Sequence, residues 1–234
     1  MSFPIPKVIA IWFAAAVLPI LVQAITPREE FAAALAHFKT EGPPGWSYIQ
    51  VSTGEGKNEI EAYNPIQFPP LCWTLLEKDY KKPSDADQMD YHNLKAQRSS
   101  EFNAPRIETE IDLRTCHVLE DTPTLLKAAF RLKVNADTQE AAKHLEVEVT
   151  LSRPSGTIEQ VEILNRAPFS PFFFVRIDRM HTVLQYSLPH GDTPSLLMHI
   201  SVSIRGKLFW LKTLDQQLEI VRKHYRYAGK KPVA

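Results

Sequence analysis

The sequence has no net charge and few glycines, and each of these features argues against a class of binding function. Lysine and arginine together number 27, as do aspartate and glutamate, so the formal net charge is zero. A neutral chain lacks the positive surface that binds a phosphate backbone, and we therefore expect no nucleic-acid partner. Only 8 glycines occur. Because no glycine-rich phosphate loop is found among them, we expect no nucleotide or other cofactor.

Motifs of known catalytic chemistry are also missing. The chain has neither the G-x-S-x-G motif of hydrolases nor the H-E-x-x-H motif of zinc proteases. His181, His190 and His199 recur every nine residues, but strands of different register would not bring them together, so we predict no metal site. Glu146 and Glu148 share one strand face, which is typical of a solvated face rather than of an acid–base pair. We predict no catalytic residues and a protein that is not an enzyme.

Cysteine is scarce, and the sequence does not decide whether the two cysteines form a disulfide or remain thiols. Cys72 and Cys116 are the whole complement. An even number of cysteines permits one disulfide in an oxidising compartment. Such a bond would close a loop of about 45 residues and contribute about 3–4 kcal/mol to stability. The alternative is two thiols that pack as small hydrophobic groups.

The longest apolar run lies at the N-terminus and has the features of an export signal. Lys7 is the only charge before Arg28, residues 8–22 are apolar, and a small residue stands at −3 and −1 of a cleavage site after Ala24. The run of about 15 residues is shorter than the ~20 residues that a transmembrane helix needs. We predict a secretory signal peptide over residues 1–24 and a periplasmic protein. A retained membrane anchor is the alternative.

The C-terminus is the one part with a biased charge. Removal of Lys7 with the signal peptide leaves 26 basic against 27 acidic residues, so the mature chain is close to neutral. Six basic residues nevertheless lie within the last 13: Arg222, Lys223, His224, Arg226, Lys230 and Lys231. We interpret residues 229–234 as a solvated basic tail, and a weak contact with anionic lipid headgroups is the sharper alternative.

Helix signals are concentrated in the first half of the chain. Thr26 can cap a helix and Glu29 stands at the third helical position, which completes a capping box. With Pro27 at the first position, this pattern predicts a helix over 27–40. Ser84 can cap a second, polar helix over roughly 85–99.

Strand signals dominate from residue 107 onward. Apolar and polar residues alternate in 144–152, and similar segments follow at short intervals to residue 227. Gly206-Lys207 indicates a turn before a strand over 208–213. Short connections favour antiparallel pairing, and a large antiparallel sheet curls. We predict one α+β domain over 25–228: a curled antiparallel half-barrel of about eleven strands, with two or three N-terminal-side helices covering its concave face.

Phenylalanine is unusually dense near the middle of this strand region. Residues 169–174 contain four of the 12 phenylalanines. Ordinary core packing explains them most simply. The other interpretation is an apolar cavity between the curled sheet and a helical lid, able to hold an acyl chain. The residues that we predict to line it are Trp73 and Leu75, alternate on one strand, and Phe169, Phe172 and Phe174.

Four stretches of the chain carry a family resemblance: GWSYIQVST (45–53), WTLLEKDYKKPSDADQMDYHNLKAQ (73–97), NRAPFSPFFFVRIDRM (165–180) and IRGKLFWLKTLDQQLEIVRKHYRY (204–227). They resemble a group of uncharacterised Gram-negative envelope proteins. That group is similar in architecture to the periplasmic lipoprotein carriers of the LolA/LolB type. The resemblance implies a curled half-barrel whose mouth is closed by helices, and a periplasmic location. It implies no activity, because fold analogy alone does not establish function.

Two functions follow as expectations. The first is a non-catalytic periplasmic protein that binds or carries an acylated or lipidic ligand, such as a lipid or a lipoprotein. The second is an envelope structural or assembly factor that acts through contacts with another envelope protein and has no ligand. In both cases we expect a monomer. An open apolar cavity under the helices would favour the first, and a filled core would favour the second.

Overall fold

The computed structural model of the protein describes residues 25–54, 56–101, 106–133, 139–209 and 211–229. The predicted signal peptide and residues 230–234 of the predicted tail lie outside these ranges. Within them, no helix combines the length and the apolar character needed to cross a membrane.

The described residues form four helices and eleven strands. The helices are α1 (Pro27–His37), α2 (Asp85–Glu101), α3 (Ile107–Glu110) and α4 (Gln139–His144). The strands are β1 (Trp46–Gly54), β2 (Lys57–Tyr63), β3 (Trp73–Lys78), β4 (Ile111–Asp121), β5 (Leu125–Leu132), β6 (Leu145–Ser152), β7 (Thr157–Asn165), β8 (Phe169–Phe172), β9 (Val175–Tyr186), β10 (Leu197–Leu208) and β11 (Lys212–Tyr227).

All eleven strands belong to one antiparallel sheet. Their order is β3-β2-β1-β11-β10-β9-β7-β6-β5-β4, and the short strand β8 pairs with β9 beside this path. The pairing of β1 with β11 joins the first and the last strand of the chain. The sheet is open, with β3 and β4 at its two edges, and it is not closed into a barrel. The predicted class, an α+β protein with a curled antiparallel sheet, is confirmed.

The sheet curls around α1, which supplies the centre of the apolar core. The Phe31 ring meets the Phe130 ring of β5 edge-on at 5.1 Å, and the Phe38 ring meets that of Tyr186, on β9, at 4.9 Å. Strands that are three places apart in the sheet thus contact the same short helix and its C-cap. Phe31, Phe130 and Leu126 are almost completely buried, so the space beneath α1 is filled by side chains.

The predicted capping box at the start of α1 is confirmed. The Thr26 hydroxyl accepts a hydrogen bond from the Glu29 amide, and the Glu29 carboxylate accepts one from the Thr26 amide at 2.8 Å. These bonds from the backbone and side chain of Thr26 lower the pKa of the Glu29 carboxyl.

Replacing Thr26 with alanine is expected to lower the free energy of unfolding by about 1 kcal/mol, since the helix loses its side-chain cap. Equilibrium urea unfolding measures this loss. A Thr26→Ser variant retains the hydroxyl and serves as the control. Equal losses in both variants would contradict a role for the cap.

One detail of the predicted fold is wrong. The segment around Gly206 is not a turn: it lies inside β10, where a Cβ atom would stand 2.0 Å from the Arg176 carbonyl oxygen. The glycine is needed because β9 approaches closely at an irregularity in the pairing. The connection instead involves Phe209 and Leu211, and the strand predicted over 208–213 is divided between the end of β10 and the start of β11. The three helices α1, α2 and α3 precede β4, in agreement with the predicted number on the N-terminal side. A fourth helix, α4, lies between β5 and β6 and packs on β5, β6 and β8.

The two cysteines do not form the disulfide that was one of the two predicted alternatives. Cys72 is buried directly before β3, whereas Cys116 lies on β4. These strands are the opposite edges of the sheet. Partial burial raises the pKa of the Cys116 thiol.

Candidate functional site

The concave face of the sheet carries a continuous aliphatic row across its central strands. Val202 on β10 pairs with Thr182 on β9 and with Leu218 on β11. Thr182 in turn pairs with Ile163 of β7, which belongs to the buried core. Paired residues on neighbouring strands lie on the same face of the sheet, and so do residues two apart on one strand. This rule identifies the side chains that extend the core face along β9, β10 and β11. They are Met180, Ile200, Val202, Ile204, Leu218 and Ile220, and we call this set the aliphatic trough.

The aliphatic trough is only partly covered. All six of its residues are half-buried rather than buried. The main packing partners of α1 are β4 and β7, that of α2 is β3, and those of α4 are β5, β6 and β8. In the described ranges, the central strands β10 and β11 are not a principal partner of any helix. The trough therefore lies between the parts of the sheet that α1 and α2 cover, and Thr182 and Gln216 are polar interruptions of its floor.

Arg222 stands at one end of the trough. It is the next residue after Ile220 on the same face of β11, and it is half-buried. Its Nε donates a hydrogen bond to Gln50 Oε1 at 3.0 Å, and its guanidinium carbon lies 4.6 Å from the centre of the Tyr48 ring. No carboxylate of the described residues forms an ion pair with it. A half-buried cation without an anionic partner is unusual, because the loss of hydration is normally offset by pairing.

The carboxylate of Glu61, which Gln50 links to Arg222, already has other partners. Glu61 is 2% exposed. One of its oxygens accepts hydrogen bonds from Lys95 Nζ and the Tyr91 hydroxyl, each at 2.7 Å, and the other accepts one from Gln50 Nε2 at 2.7 Å. Lys95 therefore balances the charge of Glu61. The amide of Gln50 links this pair to Arg222, which forms no ion pair of its own among the described residues.

Burial and this hydrogen bonding act in opposite directions on Glu61. Burial raises the pKa of its carboxyl, but the nearby ammonium of Lys95 and the three hydrogen bonds outweigh it, so the net pKa is lowered. Glu61 is thus a carboxylate at neutral pH. Burial also raises the pKa of Tyr48, although the Arg222 charge opposes the shift, and the phenol remains a neutral wall beside the guanidinium.

Aromatic rings form the wall around the charged end of the trough. The Tyr48 ring stacks on that of Tyr63 at 4.9 Å and lies 5.2 Å from that of Tyr225. Trp73 contacts Tyr63 at 4.8 Å, and Lys95 Nζ lies 4.0 Å from the centre of the indole. Such cation–π contacts help to hold an ammonium group that is partly removed from water.

The five residues predicted to line one cavity fall at separate places. Trp73 and Leu75 lie together on β3, where Trp73 is half-buried and Leu75 is buried under α2. Phe169, on β8, is buried and stacks on the His144 ring at 5.2 Å.

Phe172, on β8, lies six strands away from Trp73 in the sheet, and Phe174 follows it in the β8–β9 turn. Their rings stack on each other at 5.8 Å, but Phe172 is 62% exposed. The structure does not bring all five together in one cavity, because the β8–β9 turn leaves Phe172 exposed at the end of the sheet.

Two concave regions occur elsewhere on the surface. One has a volume of about 580 Å³ and a lining that mixes Leu125, Tyr186, Leu188 and Met198 with Thr150, Glu159, Gln160 and Gln185. The other, of about 230 Å³, lies between the end of α1 and the β9–β10 connection and is lined largely by Phe38, Tyr186 and prolines. Neither includes a residue of the predicted lining. Among the described residues, no group of three or more His, Cys, Asp and Glu side chains is placed to hold a metal ion.

Sequence reasoning missed the residues that define the charged end. Arg222 was grouped with a basic tail, yet Leu218, Ile220 and Arg222 are spaced two apart, and this period of a strand could have placed it on the apolar face. Gln88, Tyr91 and Lys95 follow one another at intervals of three and four residues, so they share one face of α2. The sequence pattern predicted only a polar helix there. Glu61 gave no local signal, because its partners come from β1 and α2.

The protein is thus an open, curled antiparallel sheet whose inner face is only partly covered by helices. No family model matches the chain, and no curated protein is similar enough to match. Among solved structures, an isomerase-inactive variant of GphF DH1 is similar at 11% identity over 88% of this chain and 82% of that chain. The TM-score of 0.19 is too low for this likeness to carry an argument about fold or function.

Proposed function

We propose that the protein is a non-catalytic periplasmic protein that binds an acyl chain with an anionic head group on the concave face of its sheet. The observation that carries this proposal is Arg222, a half-buried cation at the end of the aliphatic trough that has no carboxylate partner within the described ranges. The acyl chain would lie on the trough and the head group would meet the guanidinium. The resemblance to envelope proteins with the architecture of lipoprotein carriers supports the same proposal.

The length of the trough suits a long acyl chain. Ile204 pairs with Gln216, and the strand rises from there to Arg222 over six residues, which corresponds to about 20 Å. Half-buried aliphatic side chains gain further burial when such a chain covers them, at about 25 cal/mol per Å² of apolar area. The guanidinium can then donate two hydrogen bonds to a carboxylate or phosphate.

Replacing Arg222 with glutamine is expected to weaken the binding of a fluorescent long-chain fatty acid by about 10–100-fold, the value of a charge-assisted hydrogen bond. The fatty alcohol of the same length, used as a competitor, should bind the variant and the wild type equally. Lys223→Gln removes the same charge from the exposed neighbour on the other face and is the matched control. Equal losses for Lys223→Gln and Arg222→Gln would overturn the assignment of the head-group site.

The aliphatic floor is tested by a second pair of variants on β10. Val202→Asp places a carboxylate in the trough, whereas Ser203→Asp places it on the opposite face, where Ser203 pairs with His181 and Gln217. We expect at least about a tenfold loss of fatty-acid binding for the first and no change for the second. Circular dichroism and thermal unfolding establish that both variants fold. Unchanged binding by a folded Val202→Asp variant would contradict the proposal.

The filled core beneath α1 supports a second candidate function. If the protein carries no ligand, its activity as an envelope assembly factor would depend on surface contacts alone. The discriminating result is the absence of fatty-acid binding by the wild type together with no co-purifying lipid in native mass spectrometry. That result would remove the first proposal and leave the assembly factor.

A further inference from the structure

An exposed apolar cluster lies at the end of the sheet where two turns meet. The β8–β9 turn and the β10–β11 turn are joined by a hydrogen bond from the Phe209 amide to the Phe174 carbonyl oxygen at 2.7 Å. The Phe174 ring stacks on that of Phe209 at 5.3 Å. The cluster, which we call the aromatic tip, consists of Phe172, Phe173, Phe174, Phe209 and Leu211.

The large apolar side chains of the aromatic tip are mostly exposed to solvent, although side chains of this kind are usually buried. Phe173 is 83% exposed, Leu211 is 93% exposed, and Phe209 is 64% exposed. Single exposed apolar residues are ordinary on protein surfaces, but a contiguous group of large ones marks an interaction site. The Phe174 ring, half-buried among Phe172, Phe173 and Phe209, holds the cluster together, so the exposed rings form one surface.

Basic residues surround the base of the tip. The segments 172–179 and 205–215 contain five basic residues and two acidic ones. Asp178 pairs with Arg176 at 2.8 Å and Asp215 pairs with Arg205 at 3.5 Å. The remaining cations are Arg179, Lys207 and Lys212. Among the described residues, these three form no ion pair, so the tip has an apolar end and a positive base.

We propose that the aromatic tip docks on the surface of an anionic phospholipid membrane. Phenylalanine and leucine side chains that are exposed to water gain burial at the boundary between headgroups and acyl chains, and lysine and arginine are attracted to the negative charge of anionic headgroups. Phe173 and Leu211 enter the headgroup region, while Lys207 and Lys212 remain at the level of the phosphates. This contact goes beyond ligand binding in the trough and rests on different residues.

The test is co-sedimentation of the purified protein with phosphatidylcholine vesicles that contain or lack about a third phosphatidylglycerol. We expect binding to the anionic vesicles and at least a fivefold lower affinity for the neutral ones. The double variant Phe173→Ser, Leu211→Ser should lose about tenfold or more, and Lys207→Gln, Lys212→Gln should lose about fivefold for each lysine. The matched control is Met89→Ser, Leu94→Ser, which removes two exposed apolar side chains from α2 and should bind as the wild type does.

Three results would overturn the proposal. They are failure of the wild type to sediment with anionic vesicles, undiminished binding by the Phe173→Ser, Leu211→Ser variant, and an equal loss in the α2 control. A dimer that light scattering detects in the wild type and not in the tip variant, without vesicle binding, would identify a second copy of the chain as the occupant instead. The Arg222→Gln variant should keep full vesicle binding, so failure at the tip and failure of the trough are distinguishable.

Discussion

Phe31→Ala is expected to lower the free energy of unfolding by about 3–5 kcal/mol, the range for removing a fully buried aromatic ring. The Phe31 side chain has no exposed surface and lies edge-on to the Phe130 ring. Its removal leaves a cavity between α1 and the sheet, and the neighbours cannot close it because they are held by strands on several sides. Urea unfolding monitored by circular dichroism measures the change.

The same substitution at an exposed phenylalanine provides the control for Phe31. Phe173→Ala removes an equal ring from the aromatic tip, where it is mostly in solvent, and should change the free energy of unfolding by less than about 0.5 kcal/mol. A loss of less than about 1 kcal/mol for Phe31→Ala would show that α1 is not part of the core, and the description of the fold would be wrong.

Glu61→Gln is expected to cost about 3 kcal/mol at pH 7, because it removes the partner of the largely buried Lys95 while keeping the shape of the side chain. The folded state lowers the pKa of the Glu61 carboxyl below its ordinary 4.5. A carboxyl of this kind stabilises the folded state above its unfolded pKa, and the stabilisation is lost as the pH falls through the folded pKa. The difference between wild type and variant should therefore be constant from pH 7 to about pH 5 and shrink below pH 4.5.

A nearby carboxylate separates this effect from a general loss of charge. Glu59 lies two residues earlier on β2, is half-buried and has no ion pair among the described residues. Glu59→Gln should change stability by less than about 0.5 kcal/mol at any of these pH values. Equal pH dependence in the two variants would contradict the account of the network around Glu61.

The architecture was predictable because it depends on local patterns. The capping box at Thr26, the strand alternation from residue 107 and the short connections each point to the same curled antiparallel sheet, and the structure agrees. Gly206 was misread because a glycine in a strand pattern indicates either a turn or a close approach of two strands. Only the position of β9 decides between them.

The candidate site was not predictable in the same way. Gln50 and Arg222 lie on β1 and β11, and their contact exists only because the first and last strands pair across the whole length of the chain. The cluster at 169–174 was correctly identified as unusual, but its composition alone did not show that the β8–β9 turn would expose Phe172 and Phe173. Long-range pairing and the positions of turns are set by the whole fold, which local periodicity does not determine.

The position of a bound acyl chain tests the central claim most directly. Crystals of the protein grown with a fatty acid brominated along its chain give anomalous peaks at the bromine atoms. The account predicts bromine peaks over Val202 and Ile204, with the carboxylate within hydrogen-bonding distance of the Arg222 guanidinium. Bromine peaks confined to the aromatic tip or to the region lined by Phe38 and Tyr186, with none over the aliphatic trough, would contradict it.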